Sequence, residues 1–166
     1  TTVCGQTMMV LGATGPAPPK ATLTAGDVMA QARAAGALFI VDHPNWVYRP
    51  DRIHITDDEL DDLHGLQGIE IYTGVIERLA GSALATDRWD RLLSQGRRVF
   101  GHATDDQHGA QDRFIAWNQV QWPESQPITA TGIIEALAAG RFYASTGVTI
   151  ERIDVTEAAD AIVIES

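Results

Sequence analysis

Three stretches of the chain carry the same helix-start pattern: a threonine between apolar residues. They are Leu23-Thr24-Ala-Gly-Asp27-Val28, Ile55-Thr56-Asp-Asp-Glu59-Leu60 and Ile128-Thr129-Ala-Thr-Gly132-Ile133. A threonine hydroxyl at such a point caps free backbone N–H groups, an acid three residues on returns the bond, and the flanking apolar pair closes over the turn. The first two stretches have the acid and the third lacks it. The predicted helices end near Gly36, Gly65 and Gly140, and a fourth, near 83–94, carries Leu84, Trp89, Leu92 and Leu93 at helical spacing before Gly96. Strand candidates rich in Ile, Val or Phe stand at Ala37–Val41, Gly68–Tyr72 and Arg97–Gly101. Helix followed by strand at intervals of about 30 residues predicts an α/β layer with a parallel sheet.

The ends of the chain read differently. Residues 1–22 form an irregular segment with the loop Gly15-Pro-Ala-Pro-Pro19, although Val3–Gly12 has the residues of a strand. Residues 23–166 form the domain proper. Beyond residue 113, Phe114–Val120 reads as a strand, and Thr149–Val155 with Ala161–Ile164 as an antiparallel pair around Glu157-Ala-Ala-Asp160. The 166 residues, 45% of them apolar, suit one domain with its own core.

The predicted layout gathers polar residues at one end of the sheet, where parallel α/β folds build their sites. His43 follows the first parallel strand, Glu70 lies in the second, and Asp106 and His108 follow the third. Imidazole with carboxylate oxygen suits Zn, Mn or Fe. Blander readings exist for each. His43 before Pro44 can be a loop residue, and Asp105-Asp106-Gln-His108 a solvated turn. A carboxylate inside an apolar strand needs a cation, an arginine or a rim position, because burying it unpaired is costly. His102 reads as a core histidine or as one that supports a metal ligand, His54 and His64 as surface residues, and Trp46, Tyr48 and Trp117 as packing. The net charge of −10 argues against a nucleic-acid backbone or an anionic membrane surface as partner. With one cysteine, Cys4, no internal disulfide and no cysteine-based zinc site can form. The sequence has no Gly-x-Ser-x-Gly, P-loop, Gly-x-Gly-x-x-Gly or His-Glu-x-x-His pattern. No leader segment is evident, which leaves the cytoplasm as the default location.

Four pieces in order resemble the PHP (polymerase and histidinol phosphatase) superfamily, most closely its CehA/McbA-type metallohydrolases, over about residues 23–155. They are Val41-Asp-His43-Pro44, Gly68-Ile-Glu70-Ile-Tyr-Thr-Gly74, the run from Trp89 through Arg-Arg-Val-Phe-Gly-His-Ala-Thr to Asp105-Asp106-Gln-His108, and Ile134 to Gly147. The resemblance implies a distorted (β/α)7 barrel, TIM-like in its site placement, with divalent metals at its C-terminal face, hydrolysing phosphoesters or other small-molecule esters. It matches His43, Asp106 and His108 to metal ligands. Glu70 matches a residue at the metal rim, as ligand or base, and His43 and Glu70 are the catalytic candidates. Arg141 is the candidate for an anionic substrate group.

The family's opening His-x-His strand has no counterpart in this sequence, and 166 residues is short of a barrel of about 250. The expectation is therefore the C-terminal part of a PHP-like domain, as a fragment of a longer enzyme or as a natural half-barrel: an incomplete barrel with parallel strands and a β-rich C-terminal end, holding one divalent ion weakly or none. Its open sheet edge is expected to be covered by Thr1–Leu11 or by a second copy of the chain. The alternative function is a non-catalytic PHP-like binding or assembly module.

Overall fold

The structure, a computed structural model, describes residues 2–3, 6–13, 24–156 and 162–166. In chain order the elements begin β1 (Thr2–Val3), β2 (Gln6–Leu11), α1 (Ala25–Ala34), β3 (Leu38–Val41), β4 (Val47–Arg49), β5 (Arg52–Ile53), α2 (Asp57–Asp61) and β6 (Gly68–Thr73). They continue with α3 (Thr86–Ser94), β7 (Phe100–Thr104), β8 (Trp117–Val120), α4 (Ala130–Ala138), β9 (Phe142–Ser145), β10 (Arg152–Val155) and β11 (Ile162–Glu165). The Gly15–Pro19 loop, Cys4 and the Glu157–Asp160 turn lie outside the described residues.

The main sheet has the order β1-β2-β3-β6-β7. β3, β6 and β7 run parallel, with Ile40 opposite Gly68 and Gly68 opposite Phe100. Each follows a helix, as the repeated pattern predicts. Thr24 and Thr56 form full capping boxes with Asp27 and Glu59, and Thr129 caps α4 by accepting from the Gly132 N–H. β2 lies antiparallel on the far side of β3, with Met8 opposite Val41 and Leu11 opposite Leu38. Part of the segment expected to be irregular is therefore a strand, and it covers the edge of β3 as expected of Thr1–Leu11. Among the described residues the sheet stays open rather than closing into a barrel.

All four residues of β3 are buried. On the helix side, Phe39 and Val41 pack with Val28, Met29 and Ala32 of α1, Leu60, Ile69 and Leu92. On the opposite side, His102 of β7 stacks on Phe142 with ring centroids 4.6 Å apart. Burial there holds the His102 imidazole down to about 4, so it is neutral. That agrees with the reading of His102 as a core residue.

Three boundaries differ from expectation. The third parallel strand starts at Phe100 rather than Arg97. There the Arg97 N–H donates to the Leu92 carbonyl and the Val99 carbonyl accepts from the Trp89 indole at 2.8 Å, while the Arg97 guanidinium donates to the carbonyls of Leu60, in the short α2, and Leu63, just past it (3.2 and 2.6 Å). β8 starts at Trp117 rather than Phe114, because the N–H groups of Phe114, Ile115 and Ala116 all donate to the Asp105 carboxylate. The late pair forms as β10 with β11, which begin at Arg152 and Ile162. At the outer edge of β7, the Asn118 amide accepts from the Ala103 N–H at 3.1 Å and donates to its carbonyl at 3.0 Å. One side chain thus does there what a neighbouring strand would do.

Two outcomes follow from the packing around His102. A Cβ on Gly68 would stand 2.6 Å from His102 Nε2 and 2.9 Å from Ile40 Cγ1. Gly68→Ala should cost roughly 1–3 kcal/mol, the usual range for overpacking, in a urea unfolding titration. The pH dependence has a definite sign. The unfolded chain binds a proton at His102 near 6.5, whereas the folded chain refuses it until about pH 4. Stability from neutral His102 is thus complete above 6.5 and is lost as pH falls toward 4, by up to about 3 kcal/mol. The melting temperature should fall less between pH 7 and pH 5 in His102→Leu than in wild type.

Candidate functional site

Glu70 lies in the middle strand of the parallel trio and is 2% exposed. Its neighbours follow from a bulge in β6. Glu70 pairs with His102 and Tyr72 with Ala103, so Ile71 is an extra residue in the ladder. In a regular strand, residues 70 and 73 would face opposite ways. The bulge returns Thr73 to the face of Glu70, and Thr104, opposite Thr73, joins them. Both hydroxyls donate to the carboxylate, Thr73 to Oε2 at 2.7 Å and Thr104 to Oε1 at 2.6 Å. The His43 N–H donates to Oε2 at 2.7 Å. Burial raises the Glu70 carboxyl above the usual range, against these three donors. Glu70 is therefore an internal tie between strand ends and does not border the cavity described next.

The cavity, of about 390 Å3, is bordered by His43, Asp106, His108, Arg78, Trp46 and Thr7 among others. His43 and Asp106 follow β3 and β7, and both have positive φ, +26° and +47°. Non-glycine residues are rare in that region, and backbone strain of this kind collects at functional sites. Asp106 stands between two imidazoles. Its Oδ2 is 3.8 Å from His43 Nε2 and its Oδ1 is 3.7 Å from His108 Nδ1. His108 Nδ1 is also 2.7 Å from the Asp106 backbone oxygen. A carbonyl only accepts, so Nδ1 carries the hydrogen and Nε2 keeps its lone pair in the neutral ring. Burial holds the His43 imidazole down to about 4, leaving it neutral.

The loop that carries His108 is fastened by Asp112. This carboxylate is 1% exposed and takes a two-pronged bond from Arg78, Nε to Oδ1 at 2.7 Å and Nη2 to Oδ2 at 2.9 Å. Its Oδ2 also accepts from the N–H groups of His108 and Gly109. The arginine holds the Asp112 carboxyl far below its usual range.

Two neighbouring residues lay outside the sequence-based candidates. His54 is buried, not superficial, and its ring centroid is 4.4 Å from that of His43. Its Nε2 accepts from the Thr7 N–H at 2.9 Å, tying β2 to the site. Asp42 is buried, and neither its Oδ1 nor His43 Nδ1 has a hydrogen-bond partner among the described residues. Burial, then the charges of Glu70 and Asp106, push the Asp42 carboxyl up to about 8. The available signal for Asp42 was an acid between a fully apolar strand and a ligand candidate. His54 gave none, because its burial depends on contacts distant in sequence. Trp46, read as packing, also borders the cavity and meets the His43 ring edge-on at 5.0 Å. Arg141 borders a different cavity, of about 470 Å3, beside β8, β9 and β10.

The site can be tested against a divalent ion by its donors. Two donors on one tetrahedral ion, at bonds of about 2 Å, stand about 3.3 Å apart. The His43–Asp106 pair, at 3.8 Å, is within a small side-chain adjustment of that. His108 offers Nε2 with its other nitrogen held by a carbonyl, the usual support for a ligating imidazole. No group of three His, Cys, Asp or Glu side chains is poised for a metal among the described residues. The donors suit an ion chemically but do not form a closed cage around one.

No family model matches the chain, and no curated protein matches it. A solved structure from Bifidobacterium adolescentis, described as a "putative metal-dependent phosphoesterase", is similar with a TM-score of 0.41 and 20% identity. The likeness covers 72% of this chain and spans 38% of that one.

The role of Glu70 as a tie predicts the effect of losing one acceptor oxygen. Glu70→Gln removes the charged acceptor from all three donors and sets an NH2, which cannot accept, against at least one of them. It should lower unfolding free energy by roughly 1–3 kcal/mol, measured by urea denaturation.

Proposed function

We propose that the chain carries part of a metal-dependent hydrolase centre of the PHP type, phosphoesterase-like and of the CehA/McbA kind. In this reading residues 23–166 are the C-terminal part of an incomplete distorted (β/α)7 barrel, which three parallel strands each preceded by a helix support. The observation that carries the function is the Asp106 carboxylate with an imidazole facing each oxygen, at the ends of parallel strands and beside a cavity.

His43, Asp106 and His108 are the residues that would hold the ion, through His43 Nε2, the Asp106 carboxylate and His108 Nε2. A divalent ion there supplies Lewis-acid activation of water and of the ester. The chain's own groups set the stage for it. Neutral His43 offers a lone pair and no competing charge. Glu70 acts through the His43 backbone as a positioning residue, and Asp112 does the same for His108. Trp46, against His43, limits water on that side. With one donor pair, His43 and Asp106, near coordination spacing and no closed triad among the described residues, the reading gives one weakly held ion and slow turnover by this chain alone.

The missing triad also favours a second reading, a non-catalytic PHP-like binding module. Titration of Mn2+ into the full chain, followed by calorimetry, separates the two. Asp106→Asn should weaken binding at least tenfold. His64→Ala should leave it unchanged, because His64 is exposed and does not border the cavity. A wild-type chain that takes up no Mn2+ at millimolar concentration defeats the hydrolase reading.

A further inference from the structure

We infer that Arg78 binds the anionic oxygens of the substrate, and that this substrate is a small oxyanion ester with an apolar leaving group. The inference rests on the hydrolase reading of the same cavity. Arg78 is the one Arg or Lys that borders the cavity of His43, Asp106 and His108 among the described residues. Its guanidinium is committed along one edge only. Nε and Nη2 hold Asp112, and Nη1 has no partner among the described residues.

An arginine fixed in this way loses little freedom on binding a second oxyanion with its remaining edge. The geometry is shared with the ligand loop, because the same Asp112 oxygen that meets Arg78 Nη2 also holds the His108 and Gly109 N–H groups. Guanidinium and His108 are therefore set relative to each other by one buried carboxylate.

Charge gives the second argument. Asp106 borders the cavity, and two buried carboxyls lie beside His43, Asp42 next to it in the chain and Glu70 on its N–H. An anionic substrate entering such surroundings needs a fixed cation beside the ion, and Arg78 is in place. Trp46, Val75, Ile76 and Leu79 supply an apolar wall. A cavity of about 390 Å3 suits a small molecule. Arg141, the arginine favoured by sequence, borders the other cavity and cannot serve this one from there.

The competing explanation is that Arg78 only fastens the loop through Asp112. Metal-free wild-type chain is titrated with inorganic phosphate and with phenylphosphonate, while the Arg78 side-chain nitrogens are followed by NMR. The Arg78 Nη signals should shift on addition of either anion, and phenylphosphonate should bind at least threefold more tightly. Arg78→Gln should weaken phosphate binding at least tenfold, and Asp112→Asn less than threefold. Equal losses in the two variants, or unmoved Arg78 signals in wild type, overturn the proposal. The NMR arm needs no variant and so stands if either substitution unfolds the chain. Equal affinity for the two anions overturns the apolar leaving group. Because no metal is present, failure here is read separately from failure to bind Mn2+.

Discussion

One buried carboxylate connects the ends of three parallel strands. Glu70 projects from β6 and accepts from the backbone just past β3, from a hydroxyl of β7, and from a hydroxyl of its own strand. In the interior such a group is tolerated only when its lone pairs are used. The requirement runs in both directions. The bulge in β6 supplies Thr73, the register of β7 supplies Thr104, and the left-handed backbone at His43 turns an N–H inward. The rim residues are thus located by an interaction beneath them, and the ring of His43 is free to face the cavity because its amide is already engaged.

The protonation pattern above that tie follows from burial. His43, His54 and His102 are all held neutral by their surroundings, and Asp42 is held toward its protonated form. Desolvation is the leading cause in each case, so the interior removes charge from bases and acids alike. Charge survives where paired: Arg78 with Asp112, and Arg91 with Asp61 (Nη2 to Oδ2, 2.5 Å). The half-buried Asp106 lies between these regimes, bordered by two imidazoles and open to the cavity.

Much of this was readable in the sequence wherever the cause is local. The capping boxes at Thr24 and Thr56 formed as written, and the parallel strands at 38–41 and 68–73 match their apolar runs closely. The shared placement of His43, Asp106 and His108 beside one cavity was readable because each follows a strand, and parallel strands deliver their ends to one side. What escaped depends on partners distant in the chain. Arg97 was read as strand because nothing nearby reveals that its guanidinium would reach α2. His54 lies close to a helix start, yet β2, 47 residues away, covers it. Glu70 in an apolar strand signals a need for compensation, but the donors that meet it, Thr73, Thr104 and the His43 N–H, are set by a bulge and by strand register that the sequence does not display. The sequence singles out Arg141 through the resemblance and gives no sign of Arg78, whose place beside the His43 cavity depends on contacts distant in the chain.

The antiparallel β2 has a kinetic consequence. It occupies the edge of β3 over four register pairs, from Met8–Val41 to Leu11–Leu38, and is pinned to the site through Thr7 and His54. A further strand cannot simply add beside β3. It must exchange with β2, and each step of the exchange breaks a ladder bond before another forms. Insertion of a strand next to β3 is therefore a displacement reaction with a barrier, and the departing strand would take the Thr7 N–H away from His54 and uncover the ring that packs against His43.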